Sequence, residues 1–185
     1  MKTLLRVIRV VCFFVFTLFL ITFSLFVVKT FPVHYQGEAN PAKFGLKSEA
    51  VTWTTSDGLV LRGQGVFQDP QQPVIILCHS METTKEDLYP LARNLSYNGW
   101  NILLFDFRAH GESGGRTCSF GLWEQQDLKA ALDFLSHDKR FSHPKIGIYG
   151  LSMGAVTALL TASTDERIRA IVADSPYADL ESLFL

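Results

Sequence analysis

The sequence contains few cysteines and few charged residues, and both shortages limit the classes of function open to it. Asp, Glu, Lys and Arg make up 19% of the 185 residues against 48% hydrophobic residues, which excludes a mainly disordered chain. The three cysteines form no C-x-x-C pair and no zinc-ligand spacing, so neither a zinc site nor a dense disulfide framework is indicated. The formal net charge is −1, whereas a nucleic-acid binder needs clustered positive charge, so we expect no nucleic-acid partner. The glycine-rich stretch at 111–115 lacks the G-x-G-x-x-G order of a nucleotide site, so we expect no nucleotide binding there.

Acidic residues are also missing before Glu38, and basic residues in this part precede a long uncharged run. Residues 1–9 carry three basic side chains, and residues 10–28 are apolar apart from two threonines and one serine. At about 1.5 Å per residue this run would span about 28 Å, which matches a hydrocarbon core of about 30 Å. We therefore predict a transmembrane signal anchor at 10–28. The positive-inside rule predicts a cytoplasmic tail at 1–9 and places the rest of the chain on the far side of the membrane.

Two other interpretations of residues 10–28 remain open, a cleaved signal peptide and a buried core helix. A signal peptide has an apolar stretch of about 7–15 residues and a small-residue cleavage site, and neither feature is found here. A core helix usually has a polar face, which this run lacks. Residues 29–46 contain two prolines and two glycines and are predicted to form a linker, with Phe31 and Tyr35 as interfacial anchors. The folded domain is then expected at 47–185.

Strand and helix patterns alternate through residues 47–185. A hairpin is predicted at 50–62 around Ser56-Asp57-Gly58, and buried strands are predicted at 74–78, 102–105, 145–149 and 168–173. Helices are predicted at 122–137, at 153–163, and from the capping box Thr83-x-x-Glu86 to residue 98. Repeated alternation of this kind predicts an α/β fold with a mostly parallel sheet covered by helices on both faces.

The sequence Gly150-Leu151-Ser152-Met153-Gly154 follows a predicted strand and opens a predicted helix. This G-x-S-x-G pattern at a strand–helix junction is typical of a nucleophile elbow, in which a strained turn exposes the serine hydroxyl. The positive end of the following helix would face the reacting carbonyl group, and the Met153 N–H would be one oxyanion donor. An ordinary turn with a buried serine is the alternative.

The chain resembles the α/β-hydrolase family in four motifs between residues 48 and 185. They are His79-Ser80, Asp106-x-Arg108-x-His110-Gly111-x-Ser113, Asp127-Leu128-x-Ala130-Ala131-Leu132 and the elbow. The resemblance is to the branch of serine esterases, lipases and aminopeptidase-like hydrolases. It implies hydrolysis of a small-molecule ester, or less readily an amide, through an acyl-enzyme on Ser152, without a metal or organic cofactor.

The same resemblance implies roles for residues outside the elbow. The Met81 N–H would be the second oxyanion donor, although this chain has Ser80 where the family usually has glycine. His79 is expected to be structural, and so is the loop at 107–117. Asp106 and Arg108 are expected to hydrogen-bond the backbone of that loop.

Histidine is missing after Ser152, since the sequence has five histidines and the last is His143. In α/β-hydrolases the acid and then the histidine follow the serine. We therefore expect the family's acid and histidine to be absent from this chain, which would be incomplete at its carboxyl end. Asp174 as a variant acid and His110 as a displaced base are weaker alternatives.

Two functional interpretations follow from this missing histidine. The chain is either the amino-terminal portion of a membrane-anchored serine hydrolase or a catalytically inactive binding or interaction module on the same scaffold. Without the base, turnover is expected to be at least about a thousandfold below that of a complete relative.

Overall fold

The computed structural model describes residues 2–32 and 39–179, which form one long amino-terminal helix and an α/β domain. Tyr35 and residues 180–185 lie outside the described residues, and so does the middle of the predicted linker. The helices are α1 (Lys2–Thr30), α2 (Tyr89–Tyr97), α3 (Glu124–His137) and α4 (Met153–Ala162). The strands are β1 (Glu49–Thr54), β2 (Val60–Val66), β3 (Val74–Cys78), β4 (Asn101–Phe105), β5 (Ile146–Leu151) and β6 (Ile168–Asp174). Short 3-10 helices cover Pro41–Phe44 and Lys85–Leu88.

The six strands form one sheet in the order β1-β2-β4-β3-β5-β6. The hairpin strands β1 and β2 pair antiparallel with each other, and β2 pairs antiparallel with β4. The remaining pairs, β3–β4, β3–β5 and β5–β6, are parallel. This arrangement confirms the predicted α/β fold with a mostly parallel sheet.

Helices cover both faces of the sheet because the central strands are apolar on both sides. Every residue of β4 is buried, and so are four of the five residues of β3. One core cluster joins the sheet to α3 and α4, with Leu128, Leu132 and Ala158 among its members. A second cluster joins the opposite face to α2 through Tyr89 and Ala92.

Helix α1 is long and apolar enough to cross a membrane by length and composition. Its 29 residues would extend roughly 44 Å, and its apolar side chains are exposed over most of its length. The last turn behaves differently because it contacts the α/β domain. The Thr30 carbonyl oxygen accepts a hydrogen bond from the Cys118 N–H at 2.8 Å, and Lys29 Nζ lies 2.6 Å from Glu82 Oε2.

The described residues between α1 and β1 also contact the domain. The Ala39 N–H donates to Glu86 Oε2 at 3.0 Å, and Phe44 packs edge-to-face on Tyr89. Leu46 is buried in the cluster beneath α2. The described part of residues 29–46 therefore lies against the domain. The boundaries at 29–46 and 47–185 remain predictions.

The predicted capping box is wrong by one residue. Thr84 is the amino-terminal cap of the 3-10 helix at Lys85–Leu88, and the Asp87 carboxylate accepts from the Thr84 N–H at 2.9 Å. The Thr83 hydroxyl instead donates to the Ser80 carbonyl oxygen at 2.9 Å.

Two predicted helices also differ from the structure in their bounds. The helix that ends near residue 98 begins as this 3-10 turn and becomes α-helical at Tyr89. Helix α3 begins at Glu124 rather than at residue 122. Residue 122 lies in the turn that precedes it, where the Trp123 N–H donates to the Ser119 hydroxyl at 2.6 Å.

Candidate active site

Ser152 lies at the junction of β5 and α4 in a backbone conformation that residues other than glycine rarely adopt. Its φ is +50° and its ψ is −109°. Such strained residues persist only where the surroundings fix them. Here the Ser152 N–H donates to the Asp174 carbonyl oxygen at 2.8 Å, and its own carbonyl oxygen accepts from the Val156 N–H at 3.0 Å. The residue is half-buried rather than part of the closed core.

The two glycines of the motif are required by close backbone approach. A Cβ on Gly150 would lie 2.5 Å from the Gly154 carbonyl oxygen, inside the turn itself. A Cβ on Gly154 would lie 2.3 Å from the Cys78 carbonyl oxygen and 2.7 Å from that of His79. The first turn of α4 therefore packs directly on the chain that leaves β3.

The end of β3 lies beside the elbow because β3 and β5 are neighbouring parallel strands. Cys78 pairs with Gly150, so the residues that follow each strand meet at the same edge of the sheet. The Met81 side chain packs on the same core cluster that contains Met153. The two candidate oxyanion donors therefore come from adjacent loops.

The loop that carries Met81 is held by His79. Its Nε2 accepts from the Phe107 N–H at 2.9 Å, which makes Nδ1 the protonated nitrogen that donates to the Ser80 carbonyl oxygen at 2.6 Å. Burial lowers the pKa of His79 to about 4, so the imidazole is neutral at pH 7. Both nitrogens are occupied by backbone groups, which agrees with the predicted structural role.

Ser80 fits this loop without the freedom of a glycine. Ser80 is not among the described non-glycine residues with a positive φ, although Glu82 in the same loop is (+63°). The Ser80 carbonyl oxygen accepts from His79 and from the Thr83 hydroxyl, so the peptide group that leads to Met81 has a fixed orientation.

The amide groups of Met81 and Met153 have no acceptor among the described residues. Helix α4 begins at Met153, and the first N–H groups of a helix have no intrahelical partner. Both amides therefore remain candidates for the predicted oxyanion donors.

A buried ion pair fixes the segment that follows this loop. Lys85 Nζ lies 2.6 Å from Asp106 Oδ2, and both side chains are almost fully buried. The Asp106 carboxylate also accepts from the N–H groups of Lys85 and Glu112 at 2.8 and 3.0 Å. A Cβ on Gly111 would lie 2.2 Å from Asp106 Oδ2, so glycine is needed there. The expected bond from Asp106 to its own loop is confirmed.

Arg108 differs from the expectation, because its guanidinium group forms ion pairs rather than backbone hydrogen bonds. It lies 2.8 Å from Asp127 Oδ1 and 3.0 Å from Asp57 Oδ2. The pairs connect the loop to α3 and to the hairpin turn. Guanidinium groups favour such forked contacts with carboxylates, which explains why the ion pairs form here.

His110 connects the same loop to the residue after Met81. Its Nδ1 lies 2.8 Å from the Arg108 carbonyl oxygen, and its Nε2 accepts a long hydrogen bond of 3.4 Å from the Glu82 N–H. The backbone therefore engages both ring nitrogens. This arrangement gives His110 a structural role, as the sequence predicted for its loop.

Asp174 ends β6 directly beside the elbow, where it pairs with Leu151. Its carboxylate accepts from the Tyr149 hydroxyl at 2.9 Å and from the Ser175 hydroxyl at 2.9 Å. No histidine follows it in the sequence. In the described part of the chain, no three His, Cys, Asp or Glu side chains are grouped as a metal site requires.

The sequence analysis missed the side of the site formed by residues 118–120 and Tyr177. Cys118 Sγ lies 3.5 Å from Met153 Sδ, and the Tyr177 hydroxyl donates to the Phe120 carbonyl oxygen at 2.5 Å. Burial, with Glu124 nearby, raises the pKa of the Cys118 thiol to about 12, so it stays protonated. No spacing rule could have joined Cys118 to Met153, because their contact depends on the packing of a loop on α4.

Comparisons with known proteins agree with this geometry. A family model described as alpha/beta hydrolase fold matches residues 73–184. Protein YqkD of Bacillus subtilis is 36% identical over 123 residues, which are 65% of this chain and 40% of that protein. Thiohydrolase aneE of Aspergillus aculeatus is 33% identical over 129 residues, which are 68% of this chain and 41% of that protein. The chain thus spans about two fifths of the length of these curated relatives.

A solved structure is similar over a larger share of the chain. The Pyrococcus furiosus esterase Pf2001 superposes with a TM-score of 0.72 at 32% sequence identity. The superposition covers 81% of this chain and 59% of the esterase.

Proposed function

The chain belongs to the α/β-hydrolase fold family, and we propose that Ser152 is the nucleophile with which it hydrolyses a carboxylic ester. The observation that carries the proposal is the strained turn at Ser152, with φ of +50°, on a half-buried residue between a parallel strand and a helix. Structural roles alone rarely require such a conformation, whereas a nucleophile elbow does. The similar esterase from Pyrococcus furiosus and the thiohydrolase from Aspergillus aculeatus support acyl transfer as the reaction class.

In the proposed reaction the Ser152 oxygen attacks the carbonyl carbon of the ester. The new C–O bond places negative charge on the former carbonyl oxygen, and the Met153 and Met81 amides donate hydrogen bonds to it. Collapse of this intermediate breaks the bond to the alcohol, which leaves with a proton, and water then hydrolyses the acyl-enzyme. Each such donor is worth about 100- to 1,000-fold in rate in other serine hydrolases.

The proton of Ser152 needs a base, and an acid must orient that base. All five histidines of this sequence precede Ser152, so we assign no histidine of this chain as the base. Asp174 remains the weaker candidate acid. It lies beside the elbow but uses its carboxylate to bind Tyr149.

We also propose that residues 10–28 anchor the protein in a membrane as a single span. The basic residues of 1–9 favour a cytoplasmic amino terminus, with the hydrolase domain (47–185) on the far side and 29–46 between them. The apolar, exposed side chains of α1 support this arrangement.

Fluorophosphonate labelling followed by peptide mass mapping tests the nucleophile. We expect one adduct on Ser152 after long incubation, absent in Ser152→Ala and retained in Ser163→Ala, which removes an exposed serine at the end of the same helix. For the 185-residue chain alone, labelling should be at least about a thousandfold slower than in a complete relative.

Two outcomes would count against parts of this proposal. Equal labelling of several serines, or none on Ser152 in a chain that unfolds cooperatively, would favour a non-catalytic interaction module. Labelling of the 185-residue chain as fast as that of a complete relative would show that its own residues supply the base.

A further inference from the structure

The carboxyl end of α1 contacts both loops that border the candidate active site. One contact is the ion pair of Lys29 with Glu82, and the other is the hydrogen bond from the Cys118 N–H to the Thr30 carbonyl oxygen. The two contacts come from consecutive residues of one helix turn. The helix end is therefore fixed to the domain at the site rather than connected to it through a free linker.

The first contact reaches the loop of the proposed second oxyanion donor. Glu82 is the residue after Met81, about 3.8 Å away between Cα atoms. Lys29 Nζ lies 2.6 Å from the Glu82 carboxylate, and the Glu82 N–H is held by His110. The carboxyl end of α1 is thus connected through the Lys29 and Glu82 side chains to the residue next to Met81.

The second contact reaches the opposite side of the site. Cys118 bonds the end of α1 through its backbone and touches Met153 through its sulfur atom. Met153 follows Ser152 directly. Two residue-to-residue contacts therefore connect the end of the apolar helix to the nucleophile turn.

Exposed apolar side chains continue this surface beyond Cys118. Leu122 and Trp123 lie in the turn before α3 with exposed fractions of 63% and 47%. Arg116 is exposed on the same loop. Tryptophan and basic side chains beside an apolar residue are typical of the membrane–water interface, where the ring and the charge remain near the headgroups.

A narrow cavity of about 180 Å³ lies between the helix end and the site. Val28 and Pro32 line one side, and Glu82, Thr83 and His110 are among the residues that line the other. Val28 is the last residue of the predicted membrane-spanning segment. The cavity thus lies between the end of this predicted segment and Glu82, the residue after Met81.

We propose that the Ser152 site opens onto the bilayer surface and takes long-chain acyl esters that partition into the membrane, rather than esters dissolved in water. This inference rests on the proposed membrane anchor and nucleophile. Both loops of the site are fixed to the end of the membrane helix, and Leu122 and Trp123 extend the contact with the headgroup region. An acyl ester whose carbonyl group lies at the interface would reach Ser152 without leaving the bilayer.

Fluorescence quenching in vesicles tests the placement without requiring turnover. In a Cys12→Ser background, a fluorophore is attached to Leu122→Cys or, as the matched control, to Lys139→Cys. Lys139 is exposed beyond the carboxyl end of α3, in the loop that leads to the amino end of β5. Ser152 follows the carboxyl end of the same strand. The remaining cysteines, Cys78 and Cys118, are buried. Phosphatidylcholine vesicles carry a nitroxide quencher on the headgroup.

We expect loss of fluorescence from the label at position 122 and none from the label at position 139. Equal quenching at the two positions, or quenching only at position 139, would overturn the proposal. This result does not depend on whether Ser152 is a nucleophile.

An activity comparison tests the substrate class in the natural protein that carries this sequence. The substrates are a fluorogenic long-chain acyl glycerol in vesicles and water-soluble p-nitrophenyl acetate. The variant Leu122→Asp/Trp123→Asp should hydrolyse the vesicle ester about tenfold more slowly, which is equivalent to a loss of about 1.4 kcal/mol in the free energy of membrane binding. It should hydrolyse the acetate at an unchanged rate. Tyr97→Asp, a change at an exposed residue of α2, should alter neither rate.

The outcomes separate the two proposals. Equal losses on both substrates, or no loss on the vesicle ester, would overturn the bilayer-facing site while leaving the serine hydrolase proposal intact. Hydrolysis of neither substrate together with an unlabelled Ser152 would overturn the proposed function. The quenching result would still decide the placement of the domain.

Discussion

Replacing Gly154 by alanine sets two effects against each other at the turn that carries Ser152. Alanine is a better helix former than glycine by up to about 1 kcal/mol, so helix propensity alone predicts a more stable protein. The structure predicts the reverse. The added Cβ would lie 2.3 Å from the Cys78 carbonyl oxygen, and real Cβ contacts remain beyond 3.0 Å.

The loss of stability follows from the backbone displacement that the added Cβ requires. The gap between α4 and the end of β3 has to widen by about 0.7 Å, and both sides of the contact are backbone in closely packed elements. Overpacking of this kind costs typically about 1–3 kcal/mol, and a backbone clash this close favours the upper end. After the gain in helix propensity we expect a net loss of about 2 kcal/mol. This loss corresponds to a melting temperature about 4–8 °C lower for a chain of this size.

Thermal and urea unfolding of the detergent-solubilised chain, followed by circular dichroism, measures this change. Gly147→Ala is the matched control, because its Cβ would meet the flexible end of the Ile75 side chain at 3.0 Å and no backbone atom closer than the Ala170 carbonyl oxygen at 3.8 Å. We expect the Gly147→Ala control to have the melting temperature and the rate of Ser152 labelling of the wild type. Gly154→Ala should have a lower melting temperature and a slower labelling rate. A Gly154→Ala variant as stable as the wild type would refute the close packing that defines the elbow.

Two further predictions concern the side chains that hold the loops of the site. Because burial lowers the pKa of His79 from 6.5 to about 4, the unfolded chain binds a proton that the folded chain does not between these pH values. His79 should therefore lower the free energy of unfolding by about 3 kcal/mol between pH 6.5 and pH 4, a contribution isolated by the difference between the wild type and His79→Gln. Urea titrations should show a smaller fall in His79→Gln, and an unchanged fall would contradict the buried neutral imidazole. Lys85→Met leaves Asp106 buried without its cation and should cost about 3–5 kcal/mol, against less than about 0.5 kcal/mol for the exposed Lys139→Met, as measured by urea unfolding. Equal stability of the two lysine variants would contradict a buried ion pair.

The sequence predicted those parts of the fold that depend on local patterns. Strands β3 and β4 were predictable because central parallel strands are apolar on both faces, and their residues form uninterrupted hydrophobic runs. The strained turn at Ser152 was predictable because Gly150 and Gly154 are needed within two residues of it. Such constraints act over a few residues and leave a visible pattern.

The errors and omissions arose where distant residues decide the structure. Thr83 and Thr84 each have an acid three residues later, so the sequence pattern does not distinguish them; in the structure Thr84 is the cap, and the Thr83 hydroxyl donates to the Ser80 carbonyl oxygen. The burial of Lys85 depends on Asp106, 21 residues away. Because periodicity carries no information about such partners, these contacts could not be predicted.

The docking of α1 was missed for the same reason. A segment with two prolines and two glycines is typical of a linker, yet Lys29 pairs with a residue 53 positions later. Composition describes the conformational preferences of a segment but not the surface on which it packs. The position of α1 relative to the site is therefore information that only the three-dimensional structure provides.

A crystal structure of the protein after reaction with a fluorophosphonate tests the central claim most directly. We predict a phosphorus atom bonded to Ser152 Oγ, with one phosphonyl oxygen about 2.7–3.1 Å from the amide nitrogens of Met81 and Met153. Phosphorus on another residue, or a phosphonyl oxygen directed to solvent away from both amides, would contradict the account.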